Sequence, residues 1–285
     1  MRFYATNRRA ANTLALVLMI VVVVAAFCLL IAAALFFRPF VPGTGPGAGV
    51  SGSGTVMTKE LQFTDFRVIQ IGSTFQAAIT YSSSYRVSVT MDDNLFDYLQ
   101  VSKEGEVLSI GLKPGYEYRY LSSTLRAEIQ LPDLYELQIG GASRGTVQGF
   151  DSSHKLSLLL SGASSAEIAD TSVGDIEVEI SGASRLGGRM VGNGEARFTV
   201  SGASTATLQG KADTLVVECS GASHVELSDF PVHDANVNLS GASQATINLD
   251  GRLDADLSGA STLLYQGEPT LGDISVTGGS TISKK

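Results

Sequence analysis

The chain has 285 residues, 44% of them apolar and 17% charged, with 28 acidic side chains against 20 basic, two cysteines and no tryptophan. Residues 1–40 hold four of the basic side chains and no acidic one, which leaves 16 basic against 28 acidic beyond them, a net of −12. Such a surface repels nucleic acid and anionic lipid headgroups, and two cysteines are too few for a disulfide scaffold.

Residues 1–9 are a short basic tail. From Ala10 to Phe37 no charged residue occurs, and Leu14 to Phe37 reads LALVLMIVVVVAAFCLLIAAALFF. These 28 residues, at about 1.5 Å each, exceed the roughly 30 Å hydrocarbon thickness of a bilayer, so 10–37 is expected to be a single transmembrane helix. Arg8, Arg9 and Ala32–Ala34 also fit a cleaved secretory signal, but the apolar run is too long for one, and Phe27 before Cys28 fits a lipobox poorly. Arg2, Arg8 and Arg9 precede the run, and Arg38 is the one basic residue between it and Lys59. The expected orientation is therefore N-terminus cytoplasmic and the remainder extracytoplasmic. Residues 38–58, RPFVPGTGPGAGVSGSGTVMT, read as a flexible Gly/Pro/Ser-rich tether.

Beyond the tether, residues 59–139 are rich in strand formers at Phe66–Ile71, Phe75–Tyr81, Tyr85–Thr90 and Leu125–Ile129, while Asp92–Leu99 reads as a short helix or turn. This stretch is expected to supply the N-terminal coils and the cap of a solenoid that occupies 59–285. Terminal repeats are irregular because they must shield the core.

From Gly140 a tetrapeptide recurs, starting at Gly140 (GGAS), Ser161, Ser181, Ser201, Ser220, Ser240, Ser258 and Thr277 (TGGS), at intervals of 18 to 21 residues. One position before it stand Ile139, Leu160, Ile180, Val200, Cys219, Leu239, Leu257 and Val276; three before stand Leu137, Leu158, Val178, Phe198, Val217, Val237, Ala255 and Ile274. The residues between are polar except Leu159, so the pattern is a period-two strand with one buried face. Alternation resumes after the tetrapeptide, with Ala166, Ala206, Val225 and Ala245 and then Ile168, Leu208, Leu227 and Ile247. A unit of about twenty residues with two short strands cannot bury its own apolar face, and stacking closes the core. The expected fold is all-β, a parallel β-helix of about 20 residues per coil, with 140–285 as its regular part.

The tetrapeptide is then a corner. Gly141, Gly162, Gly182, Gly202, Gly221, Gly241, Gly259 and Gly278 occupy its second place, as a turn with positive φ requires. The serines at the fourth place, Ser143 through Ser280, can bond to backbone or to the serine of the next coil. A nucleophilic serine would need one distinguished copy beside a base, and none is distinguished. Cys219 lies in the inward column and is expected to be a small buried apolar group.

FTDFRVIQIGSTFQAAITYSSSYRVSVTMDDNLFDYLQVSKEGEVLSIGL, then LPDLYELQIGGASRGTVQG, then serial SGAS units resemble the putative auto-transporter adhesin head GIN domain over about residues 60–283. The resemblance implies a β-helical exported domain of bacterial envelopes and carries no catalytic residues to transfer.

A β-helix can also be a carbohydrate-active enzyme, which needs carboxylates clustered on one outer sheet. Glu177 and Glu179 on one coil, and Asp254 and Asp256 on another, stand two apart on a strand, about 7 Å by strand rise. The simpler reading is that they solvate the outer face. His154, His224 and His233 have no cysteine or histidine at ligand spacing. Nucleotide-binding loops, nucleophile elbows and zinc-protease helices are missing from the sequence. The other outward face carries Arg144, Ser165, Arg185, Thr205, His224, Gln244, Thr262 and Thr281, a ladder of small polar side chains suited to a glycan or another protein.

The functional expectation is a non-catalytic, membrane-anchored, adhesin-like protein that uses no cofactor or metal. Its expected partner is a cell-wall glycan or an envelope protein, not nucleic acid. The alternative is a polysaccharide-active enzyme working through the acidic face at Glu177 and Glu179.

Overall fold

The computed structural model describes residues 49–119 and 125–285. The expected membrane span at 10–37, the tail before it and the tether up to residue 48 lie outside these residues. Among the described residues no helix is long and apolar enough to cross a membrane.

Gly49–Lys285 is one compact unit built on two long sheets, one of 11 strands and one of 12. In the first sheet the parallel strands Glu136–Ile139, Leu156–Leu160, Ile176–Ile180, Glu195–Val200, Thr214–Cys219, Asp234–Leu239, Arg252–Leu257 and Thr270–Val276 stack in chain order. Their register sets Leu137 beside Leu158, Val178, Phe198, Val217, Val237, Ala255 and Ile274, the file expected from the alternation. The six residues from Leu137 to Val237 in that file are all fully buried. In the second sheet Gly145, Ala166, Leu186, Ala206, Val225, Ala245, Leu263 and Ile282 form the facing file. This file mixes Gly and Ala with Leu, Val and Ile, and at Gly145 the side chain of Ile139 fills the space that a Cβ would take.

Each tetrapeptide turns the chain from the first sheet to the second, and all eight glycines have positive φ, between 69° and 79°. Steric crowding adds to the conformational demand: a Cβ on Gly202 would lie 2.5 Å from the carbonyl oxygen of Gly182, and one on Gly221 would lie 2.7 Å from that of Gly202. The same carbonyls accept the next corner's Ala N–H, as from Ala203 to Gly182 at 2.8 Å and from Ala222 to Gly202 at 2.8 Å. The parallel ladder therefore continues round the bend. Seven of the corner serines, from Ser143 to Ser261, are buried, and the bonds expected of them form at Ser164 to Ser184 (3.3 Å) and Ser261 to Ser280 (3.2 Å).

Residues 59–139 build the end of the same stack, and the order along the axis departs from chain order. Val68–Ile71 lies between Glu136–Ile139 and Val107–Leu112, and Gln76–Tyr81 lies between Arg144–Gln148 and Arg126–Leu131. The chain leaves the first coil, builds the terminal layer outside it, then re-enters on the other side. In that layer Arg86–Asp92 runs antiparallel to Arg126–Leu131, and Leu99–Glu104 runs antiparallel to Val107–Leu112. A 3-10 helix, Asp93–Tyr98, joins them as expected for this stretch, with Leu95 plugged into the core. Val56–Leu61 pairs antiparallel with Arg86–Asp92 and starts inside the stretch read as a tether. It forms one sheet edge, short and carrying Lys59 and Glu60, which discourages edge-to-edge pairing. At the opposite end Leu271 and Val276, inward-file positions without a further coil over them, are 51% and 42% exposed.

Gly202→Val is expected to cost about 2–4 kcal/mol, from backbone strain and the clash with the Gly182 carbonyl. Thr207→Val, at an exposed outward position, should stay within about 0.5 kcal/mol. Denaturant melts of the two variants check this, and equal midpoints would contradict it.

Candidate functional site

Alternation along Ile176–Ile180 points Glu177 and Glu179 away from the core, and the ladder places Ser157 and Arg197 on either side of Glu177. Lys155, in the turn before the neighbouring strand, donates from Nζ to Glu177 Oε2 at 2.5 Å, and the Ser157 hydroxyl donates to the same oxygen at 2.8 Å. The Lys155 bond holds Glu177 below the usual carboxylate range, against the opposing effect of partial burial. Glu179 is pushed the other way by burial first and then by repulsion from Glu177 and Glu136.

Two neighbouring carboxyls with pKa values driven apart are the raw material of acid–base chemistry. Here the ionised member is already committed to Lys155 and Ser157, and the pair stands on the open face of a sheet. The depressions lined by Asp151, Asp175 and Asn193, and by Asn236, Asp254 and Asp273, do not include it. Asp254 and Asp256 lie in the second of these, of about 460 Å³. Arg252 grips Asp254 with two bonds, at 2.8 and 2.7 Å, and holds its carboxyl below the usual range.

The histidines are separate from both acidic pairs. His154 bonds to Asp133 at 2.5 Å with its ring against Tyr135, and His233 bonds to Asp250 at 2.9 Å, which raises its pKa. His224 stands in the outward file of the second sheet. Among the described residues no group of three or more His, Cys, Asp or Glu is placed to hold a metal ion. Burial pushes the Cys219 thiol up to about 12, leaving it without thiolate reactivity at neutral pH.

The polar ladder of the second sheet is in register from Arg144 to Thr281, as the spacing predicts. Thr246, also at an outward position, is 1% exposed because Glu226 and Leu264 flank it.

Three features escape the repeat pattern. Lys155 reaches across a coil. Gly72–Phe75 is a further corner in register with Gly140–Ser143, turned by Ser73 at φ 66°, whose hydroxyl accepts the Leu112 N–H at 3.0 Å. Tyr98, Tyr116 and Tyr118 come together in the terminal layer, with ring centroids 4.9 to 6.1 Å apart. The spacing of Tyr116 and Tyr118 hints at a shared face, but Tyr98 joins them only through the fold.

Residues 65–269 match the family described as putative auto-transporter adhesin, head GIN domain. The chain belongs to this family. A structure of a putative adhesin from Parabacteroides merdae superposes on this GIN domain with a TM-score of 0.76 at 18% identity, covering 83% of this chain and 99% of the other. A putative adhesin from Parabacteroides distasonis gives 0.77 at 17% identity, over 84% and 100%. A putative lipid binding protein from the same species gives 0.71 at 18%, over 84% and 100%. At such identities the likeness concerns the fold of the GIN domain alone. No curated protein matches the chain.

The opposite pKa shifts give opposite pH signatures. Glu177, depressed in the fold, contributes stability above its unfolded pKa, near 4.3, that is lost as pH falls through the folded value. Glu179, raised in the fold, contributes stability below the unfolded pKa that is lost as pH rises through the folded value. At pH 7 Glu177→Gln is expected to lower Tm and Glu179→Gln to raise it, each by about a degree given their exposure. Both differences should shrink in acid below the carboxylate range, as thermal melts of the two variants at both pH values will show.

Proposed function

We propose that this GIN domain protein is a non-catalytic surface-interaction module of the adhesin type, held at the membrane by residues 10–37, with its solenoid on the extracytoplasmic side. The observation that carries this reading is the uniformity of the coils. Corner serines repeat without a distinguished copy, the outward ladder is polar and regular, and Glu177 is consumed by Lys155 and Ser157. A flat, elongated face of this kind suits binding over many coils more than turnover at one. Membership of a family described as putative auto-transporter adhesins and the fold shared with proteins described as putative adhesins support the same reading. The expected partner is a cell-wall glycan or another envelope protein. The acidic face is not proposed as a polysaccharide-active site, since its ionised carboxylate is already bonded to Lys155 and Ser157 and stands on the outer face of a sheet.

Purified wall sacculi should sediment the full chain in detergent solution, in a saturable way that free wall fragments reverse. Protease added to intact spheroplasts should digest the solenoid while cytoplasmic markers survive. Absence of sedimentation with wall material and with envelope extract, or protection of the solenoid until lysis, would contradict the reading.

A further inference from the structure

We propose that Tyr98, Tyr116 and Tyr118 form a stacking platform for the pyranose ring of an uncharged saccharide. The proposal rests on the surface-interaction reading and names a site and a ligand class for it.

The cluster is built from three elements of the terminal layer. Tyr98 ends the 3-10 helix Asp93–Tyr98, Tyr116 stands in the loop after Val107–Leu112, and Tyr118 opens the two-residue strand Tyr118–Arg119. Tyr98 lies edge-on to Tyr116 at 4.9 Å and to Tyr118 at 6.0 Å, while Tyr116 and Tyr118 are tilted at 6.1 Å. Tyr118 packs on the core from a half-buried position, whereas Tyr116 is 52% exposed.

The platform is held from below. The Tyr118 hydroxyl donates to the Lys113 carbonyl at 2.6 Å, the Lys113 N–H donates to the Tyr98 carbonyl at 2.9 Å, and Lys113 Nζ donates to the Asp97 carbonyl at 2.7 Å. Rings fixed before a ligand arrives lose little entropy on binding. Tyr116, 52% exposed, presents its ring to solvent with Tyr98 edge-on behind it.

The ligand class follows from charge, size and chemistry. Asp97 and Glu117 offset Lys113 and Arg119, so the rim is neutral on a surface that is otherwise strongly acidic. An anionic polymer gains nothing there. Three rings, two of them half-buried, expose far less than the roughly 800 Å² per partner that a stable protein interface takes. A pyranose fits both limits: its C–H face lies on an aromatic ring while its hydroxyls meet phenol oxygens and rim carboxylates. Tyr81, the other tyrosine more than half exposed among the described residues, instead packs against Phe150, outside the cluster.

The test uses the full chain with its nine tyrosines replaced by 3-fluorotyrosine and followed by fluorine NMR, with single Tyr→Phe variants assigning the signals. The probes are a β-1,4-linked N-acetylglucosamine tetramer, a neutral β-glucan oligomer, polygalacturonate and a proline-rich peptide. The neutral saccharides should shift the Tyr98, Tyr116 and Tyr118 signals together and leave Tyr265, on the last coils, unmoved. Tyr116→Ala should weaken that binding roughly tenfold, the loss of one stacked ring, while the melting temperature stays within about 2 °C. Tyr116→Phe should keep most of the affinity. If neither neutral saccharide moves the three signals, or if only the polyanion or the peptide does, the platform is refuted. Sedimentation with sacculi persisting in that case would leave the adhesin reading standing without this site.

Discussion

Everything in this molecule depends on how closely one corner sits on the next. The carbonyl oxygen of each corner glycine occupies the space in which the following corner would place a Cβ, and it accepts the N–H one residue further on. Only glycine meets both demands in a left-handed conformation without strain. The close approach keeps the backbone ladder unbroken round the bend, so the alanine N–H and the glycine carbonyl are paired there. It also fixes the register of both sheets. A coil that slipped by one residue would turn its whole inward file to the solvent. The serine two residues after the glycine closes the inside of the bend, where a larger side chain would force the sheets apart.

That constraint explains what could be read from the residues alone. The inward files of the regular coils were legible because two independent periods, two along the strand and about twenty along the chain, pointed to the same positions, and Leu137 to Ile274 indeed form one file. The first corner was not legible. Ser73 stands where the others have glycine and Phe75 where they have serine, which the terminal layer permits: Ser73 turns its hydroxyl to the Leu112 N–H, and Phe75 is fully buried in the wider end of the core. The order of strands at that end was also hidden. Two of the three antiparallel pairs there join segments distant in sequence, and alternation says which face a residue takes but not which neighbour it meets.

Contacts between coils were the other blind spot. Glu177 and Glu179 were identified as a pair by their spacing, yet their behaviour is set by Lys155 and Ser157 on the adjacent coil and by Glu136 beyond it. Thr246 belongs by count to the solvent-facing file and is buried by its neighbours in the stack. Residues about twenty apart are closer here than residues three apart, so a linear window sees only half of each environment. The same geometry divides labour in the molecule. Regular coils supply length, stiffness and a repetitive surface, whereas the irregular terminal layer is free to gather unlike side chains, as it does with Tyr98, Tyr116 and Tyr118.

The direct test of the stacked-corner account is amide hydrogen exchange at the alanine that follows each corner glycine. Ala163, Ala183, Ala203, Ala222, Ala242 and Ala260 each donate to the glycine carbonyl of the preceding corner at 2.7 to 2.8 Å. Although they lie at exposed turns, these amides should exchange as slowly as those of the flanking strands, opening only with the stack. Exchange at the rate of free loops, with the strands still protected, would show that the corners do not hold one another and would contradict the account.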